Sequence, residues 1–228
     1  QKDAFLSQIS HELRTPMTSI RAFSEILRDT DEMQPKDQSR YASIIHDEAQ
    51  RLTRLLDDLL DLSVVENGQV NLNLRDGTLR DTLDRAVSSA GIGEDGVRLD
   101  IVRDPVREDI QLHTDLDRLS QVFINLIANA RKYCDAAAPR LAIRVMQEAD
   151  RVVIDFQDNG TGIAPEAVDM IFEKFARVSD QKAGGAGLGL AICRQVMTRL
   201  GGTVDYVPAA RGANFRVVLP YRTALAAQ

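Results

Sequence analysis

The chain has 228 residues, 44% of them hydrophobic and 27% charged, with a formal net charge of −6. That is enough for two modest domains with a sizeable core, and the balance excludes a disordered segment. Residues 1–70 hold 8 Lys and Arg against 13 Asp and Glu, so the acidity sits at the N-terminal end, and no basic stripe offers itself to nucleic-acid phosphates.

No apolar run approaches membrane-spanning length and no signal peptide is visible, so a cytoplasmic segment without direct membrane contact is expected. The chain opens in a helical pattern at Gln1-Lys2-Asp3, as a piece of a longer protein would. Cys134 and Cys193 are far apart and lack metal or CxxC spacing; both are expected to be reduced and structural.

Residues 1–30 read as a first helix. Leu6, Ile9, Leu13, Pro16, Ile20, Phe23 and Leu27 recur in alternating steps of three and four, the a/d seam of a coiled coil. The polar, proline-containing stretch from Asp29 to Lys36 reads as a hairpin turn. A second helix is expected from about Asp37 to Glu66. Its seam is Ile45, Ala49, Leu52, Leu56 and Leu59, widened by Leu55, Leu60 and Leu62. One hairpin leaves that face exposed, whereas two hairpins paired as a four-helix bundle bury it, so a homodimer is expected. The alternative, packing of the hairpin on the rest of the chain, fits two heptad-like helices less well.

Asn67-Gly68 closes the second helix and divides the chain into residues 1–67 and 68–228. Beyond it the pattern alternates. Strands are expected at Val70–Leu74, Arg98–Val102, Asp109–Leu112, Arg140–Gln147, Val152–Gln157, Thr203–Val207 and Phe215–Leu219. Helices are expected at Leu79–Ala90, Leu116–Tyr133, Pro165–Ile171 and Leu188–Leu200. The sum is an α-helical hairpin followed by an α+β sandwich, a mixed sheet with helices on one face.

Four constellations carry chemistry. His11 falls at the outermost heptad position, two residues from both Ile9 and Leu13, with Glu12 beside it and Thr15 one turn on. A neutral imidazole is a nucleophile near neutral pH, and a carboxylate taking the Nδ1 proton would leave Nε2 to attack. Pro16 withholds a donor from the carbonyl of Glu12 and loosens the helix there. In Asn125-Leu-Ile-Ala-Asn129-Ala-Arg-Lys132-Tyr133, two amides four residues apart share a helix face, and an amide oxygen suits Mg²⁺ carrying phosphates. Asp158-Asn-Gly160-Thr-Gly162 follows a strand, where a carboxylate can accept the exocyclic amine of adenine. Gly184-Gly185-Ala186-Gly187-Leu188-Gly189-Leu190 opens a helix whose bare amides suit a di- or triphosphate, without the Lys-Ser/Thr of a P-loop.

In this order the motifs resemble the catalytic core of sensor histidine kinases of two-component systems. His11–Pro16 is similar to the phospho-acceptor box, Asn125–Tyr133 to the N box, Asp158–Gly162 and Gly185–Leu190 to the two glycine boxes, and Phe172–Phe175 to the F box. The resemblance spans nearly the whole chain. It implies a dimerisation and phosphotransfer hairpin followed by an ATP-binding domain of Bergerat type. It further implies that Asn129 holds Mg²⁺ and Asp158 binds adenine. Asn125, Lys132, Tyr133, Ile163, Phe175 and Leu188 would line the nucleotide site, with Gly160, Gly162, Gly185, Gly187 and Gly189 shaping pocket and lid. Phe172 and Phe175 would anchor that lid. The implied activity is ATP-dependent phosphorylation of His11 and transfer to an aspartate of a response-regulator receiver domain, with a reverse phosphatase activity in which Thr15 positions water. Met17 and Ala186 depart from the usual pattern without removing a reactive group. Two rival readings stay open: an ATP-binding dimer acting mainly as regulator phosphatase or nucleotide sensor, and an ATPase of the same fold of the chaperone or DNA-repair kind. His46 is expected on the surface of the second helix and His113 in a loop.

Overall fold

The computed structural model describes residues 2–66, 71–90, 99–176 and 187–221. Two long helices, α1 (Lys2–Asp29) and α2 (Pro35–Glu66), form the expected hairpin, with the Phe23 and Tyr41 rings 5.5 Å apart near its turn. Helix α1 runs unbroken through Pro16, which is buried. One missing backbone bond therefore loosens the helix without ending it.

The seam of the hairpin is only partly covered. Leu6, Leu56 and Leu60 stay exposed, while Leu55 and Leu62, seven residues apart on the flank of α2, are buried in the core of the second domain. There they meet α6 (Gly189–Arg199). Packing of the hairpin on the rest of the chain, the less favoured expectation, thus occurs. It uses Leu55 and Leu62 of the widened flank, with the seam residues Leu13 and Leu59 half-buried against the same cluster, and it leaves Leu6 and Leu56 of the seam exposed.

The second domain is a mixed five-stranded sheet with helices on one face. Its strands are β2 (Asp100–Val102), β4 (Arg140–Gln147), β5 (Arg151–Asp158), β7 (Asn214–Pro220) and β6 (Thr203–Tyr206), in that spatial order. β2 and β4 are parallel and the other pairs antiparallel. Helices α3 (Leu79–Ala90), α4 (Leu116–Tyr133) and α6 supply the covering layer. Leu119, Phe123, Leu126 and Ile127 give α4 one apolar stripe, and Phe123 meets Phe156 of β5 with ring centroids 5.4 Å apart.

Five consecutive residues of β5, Val152 to Phe156, are buried, so the strand is covered on both faces. On the face away from the helices, Asp155 accepts two hydrogen bonds from Arg216 of β7, at 2.7 and 2.8 Å. A bidentate pair across the strands shields what a helix does not.

The expected elements hold with local corrections. β1 is Arg75–Thr78 rather than Val70–Leu74, and β3 is Gln111–Thr114 rather than Asp109–Leu112. The two pair with each other as a separate antiparallel ribbon, in the register Arg75↔Thr114 to Thr78↔Gln111. Their polar residues conceal the strand pattern. His113 consequently lies in a strand, not a loop, with Nδ1 2.8 Å from Asp76 Oδ1. Helix α5 stops at Val168 (Pro165–Val168), and the chain continues in turns that bury Ile171 and Phe172. His46 is exposed on α2 as expected. Asn67-Gly68, and with it the expected domain boundary, lies outside the described residues, as do Val70 and Arg98.

Both cysteines are free. Cys193 on α6 is fully buried, its Sγ 3.8 Å from the carbonyl oxygen of Val122, and burial pushes its thiol up to about 12, against a smaller opposing effect of a hydrogen bond to Asn125. Cys134, at the end of α4, is half-buried. The thiolate is the reactive species. At pH 8 an alkylating reagent is therefore expected to label the folded protein at Cys134 alone and both thiols in denaturant; labelling of Cys193 in the folded protein would contradict the packing of α6 on α4.

Candidate functional site

His11 projects from α1 with its side chain 74% exposed, and its Nδ1 lies 3.9 Å from Glu12 Oε1. Glu12, by contrast, is buried, and Gln8 Nε2 donates to its carboxylate at 3.4 Å. Thr15 Oγ1 donates to the carbonyl oxygen of His11 at 3.2 Å, which fixes the threonine against the turn bearing the imidazole. The helix thus presents a nucleophile to solvent while holding the neighbouring carboxylate near Nδ1.

Helix α4 carries the amides. Asp115 caps its N-terminus by accepting from Arg118 N (3.1 Å), and also accepts from Asn73 N (3.0 Å), which ties the segment before β1 to the same point. The apolar stripe turns inward and leaves Asn125, Asn129 and Lys132 half-buried along one edge. Asn125 Nδ2 donates to the carbonyl oxygen of Gly189 at 3.4 Å, joining α4 to the first turn of α6. Among the described residues none engages the Asn129 amide, so its oxygen is available to a ligand. No group of three or more His, Cys, Asp or Glu that could hold a metal occurs among them. A hard cation there would have to share its coordination with phosphates, which suits Mg²⁺. Lys132 Nζ lies 4.9 Å from the centroid of the Tyr133 ring, and Tyr133 is half exposed.

The loop after β5 is built around Asp158. Its Oδ1 accepts from Gly160 N at 2.9 Å and from Ala213 N at 3.1 Å, and its own N–H donates to the carbonyl oxygen of Ala213 at 3.0 Å. Oδ2 has no partner among the described residues. A half-buried carboxylate held by one oxygen, with the other open, is suited to accept from an exocyclic amine. The turn before β7 approaches so closely that a Cβ on Gly212 would stand 1.9 Å from the carbonyl oxygen of Asp158, and φ there is +74°. Only glycine fits. Gly212 belongs to none of the boxes, and no spacing in the sequence points to it.

A second carboxylate escaped the sequence reading. Asp135, just beyond α4, accepts from Thr161 N and from Thr161 Oγ1, both at 2.8 Å. Beside it, Cys134 Sγ lies 3.2 Å from Asn159 Oδ1, which also accepts from Arg140 N at 2.8 Å. The end of α4 is therefore fastened to the Asp158–Gly162 loop at two points. Ile163 follows, half-buried against the core.

The aromatic pair divides its work. Phe172 is buried, edge-on to Phe215 (6.2 Å), with the Arg194 guanidinium 3.9 Å above its ring. Phe175 adopts φ 63° and its N–H donates to the carbonyl oxygen of Gly187 at 2.9 Å. Gly187 has φ +70°, and a Cβ on it would meet the Ala176 carbonyl oxygen at 2.5 Å, so this return of the chain requires glycine. The Phe175 ring reaches the hairpin, 5.6 Å from Phe5, over whose ring Lys174 Nζ also lies at 4.6 Å. Phe5 is six residues before His11, about 9 Å along the helix axis. Leu188 is fully buried and Gly189 starts α6. Gly185 lies outside the described residues, with the rest of 177–186.

Comparison with known proteins agrees with this architecture. Residues 1–68 match the family model described as His Kinase A (phospho-acceptor) domain, and residues 114–223 match Histidine kinase-, DNA gyrase B-, and HSP90-like ATPase. The chain is 35% identical over 225 residues to sensor protein KdpD of Escherichia coli strain K12, covering 98% of this chain and 25% of KdpD. It is 33% identical over 231 residues to the circadian input-output histidine kinase CikA of Synechococcus elongatus, covering 97% of this chain and 30% of CikA. It therefore spans less than a third of either relative. Among solved structures, full-length ShkA in complex with AMPPNP superposes with a TM-score of 0.66 at 26% identity, over 97% of this chain and 46% of ShkA. Both modules, matched in this order in one chain, place it in the sensor histidine kinase family, as the catalytic core of a histidine kinase.

Proposed function

We propose that this chain binds ATP in its second domain, phosphorylates His11 and passes the phosphoryl group to an aspartate of a response-regulator receiver domain. The observation that carries the reading is the exposed imidazole of His11 beside a buried carboxylate, on a hairpin docked against a domain of the ATPase family. The carboxylate of Asp158 accepts the adenine amine through its open oxygen. Gly160 and Gly162 let the backbone approach the base, while Asn125, Lys132, Tyr133, Ile163, Phe175 and Leu188 line the site. The segment from Gly185 to Gly189 follows the phosphates. Asn129 would hold Mg²⁺ together with those phosphates, where the ion neutralises charge on the phosphate oxygens.

The transfer is an in-line displacement. The lone pair on His11 Nε2 forms a bond to the γ-phosphorus, the bond to the β–γ bridging oxygen breaks, and ADP departs with that electron pair. The ring gains positive charge, which Glu12 stabilises across Nδ1–H or relieves by taking the proton. The second domain swings on the hairpin to reach His11. In the next step a carboxylate oxygen of the regulator displaces Nε2 from phosphorus, which regenerates the imidazole. Two hairpins paired through Leu6, Leu56 and Leu60 would form the dimer. Thr15 would position the water that hydrolyses the regulator's phosphoaspartate in the reverse activity.

With γ-labelled ATP and Mg²⁺, the chain is expected to acquire label that is lost in acid and survives alkali, and His11→Gln is expected to abolish it. ATP binding without such label would favour the nucleotide-sensing or phosphatase-only reading. Thr15→Ala is expected to retain His11 labelling while slowing dephosphorylation of a phosphorylated receiver domain; equal rates of dephosphorylation by variant and parent would remove Thr15 from that role.

A further inference from the structure

Asp158 ends β5, and the glycine-rich loop that follows it supplies one of the donors that orient its carboxylate; such a loop keeps that orientation only if something outside it restrains the backbone. The two bonds to Asp158 Oδ1, from Gly160 and Ala213, fix the side chain relative to the loop and the neighbouring turn. They do not tie the loop to the helix that bears Asn125 and Asn129.

Asp135 supplies the charged part of that tie, beside the contact of Cys134 Sγ with Asn159 Oδ1 at 3.2 Å. It lies two residues past the end of α4 and 26 residues before Thr161, and both of its oxygens are committed to that one residue, Oδ1 to the backbone N–H and Oδ2 to the hydroxyl. The fit is close: a Cβ on Gly160 would come within 2.8 Å of Asp135 Oδ1 and 3.2 Å of Asp158 Oδ1. The two carboxylates thus flank the same glycine. The backbone bond first, and then the hydroxyl bond, hold the Asp135 carboxyl below the ordinary carboxylate range, so it is ionised throughout the neutral region. A charged acceptor of two bonds restrains a loop more strongly than neutral groups do.

We infer that Asp135 is a positioning residue for adenine recognition: by clamping Thr161 it sets the loop so that the open oxygen of Asp158 faces the exocyclic amine of the base, and it links that setting to the α4 helix that serves the phosphates. Asp135 itself touches no nucleotide. The inference rests on the reading of Asp158 as the adenine acceptor. It requires that loss of the clamp erode discrimination between bases, because inosine triphosphate carries a carbonyl where ATP carries the amine, and a well-placed Asp158 carboxylate repels that carbonyl.

The test is equilibrium binding of ATP and of inosine triphosphate, each with Mg²⁺, to the full chain, alongside thermal melting. Asp135→Ala is expected to reduce the preference for ATP about tenfold, the scale of one charge-assisted bond. Thr161→Ala, which keeps the backbone bond, is expected to lose less, and Thr161→Ser to recover the preference. The double variant is expected to be no worse than Asp135→Ala alone, because the two residues act as one unit. Equal weakening of both nucleotides in Asp135→Ala, or additive losses in the double variant, would reduce Asp135 to a structural residue and overturn the inference. Should Asp135→Ala fail to fold, the Thr161→Ala and Thr161→Ser pair decides: an unchanged preference in Thr161→Ala contradicts the clamp. Asp158→Asn separates the two levels. If it abolishes the preference while Asp135→Ala does not, the clamp fails and the adenine reading stands; if it leaves the preference intact, the adenine reading fails and the clamp has nothing to position.

Discussion

The end of the sheet that carries Asp158 depends on how closely the turn at Gly212 nests against it. With 1.9 Å between the Asp158 carbonyl oxygen and the place a Cβ would occupy, the turn cannot carry a side chain. That intimacy lets Ala213 donate to Asp158 Oδ1 and accept from Asp158 N. The edges of β5 and β7 are thereby locked, and the carboxylate keeps one oxygen for a ligand. Asp135 fastens the same loop to α4 from the other side. The arrangement is a set of bonds from backbone amides and one hydroxyl to two carboxylates, with one backbone–backbone bond, made possible at Gly212 by the missing side chain and set on a sheet whose core supplies the rigidity.

The hairpin divides its apolar surface between two partners. Leu55 and Leu62 point to α6 and are buried, while Leu6 and Leu56 remain open along the seam and Leu60 beside it, so docking of the second domain leaves apolar surface on the hairpin exposed. Near His11 the contact is aromatic and partly electrostatic, through Phe5, Phe175 and Lys174, and it passes through the left-handed backbone of Phe175 that Gly187 accommodates. The chain around Gly187 thereby touches α1 within two turns of His11.

What the sequence made legible follows from range. Helix α4 and strand β4 match their expected bounds because long periodic runs state their own limits. The exposure of His11 was readable from its heptad position alone. The ribbon of β1 and β3 was misplaced because Arg75–Thr78 and Gln111–Thr114 hold no apolar alternation, and each becomes a strand only through the other. Burial of Asp155 followed the same rule, since its partner Arg216 lies 61 residues away. Gly212 and Asp135 were invisible for a related reason. Their importance arises from contacts with residues 54 and 26 positions away, Asp158 and Thr161, in segments without periodicity. The boxes identify the groups that would touch a ligand, and the groups that hold those in place are found only in three dimensions.

The central claim is that His11 receives phosphate on Nε2 while Glu12 attends Nδ1. It is tested most directly by determining which ring nitrogen carries the phosphoryl group, using heteronuclear NMR of the imidazole nitrogens in the protein incubated with ATP and Mg²⁺. Phosphate on Nε2 of His11 is the expected result. Phosphate on Nδ1, or on a residue other than His11, would contradict it.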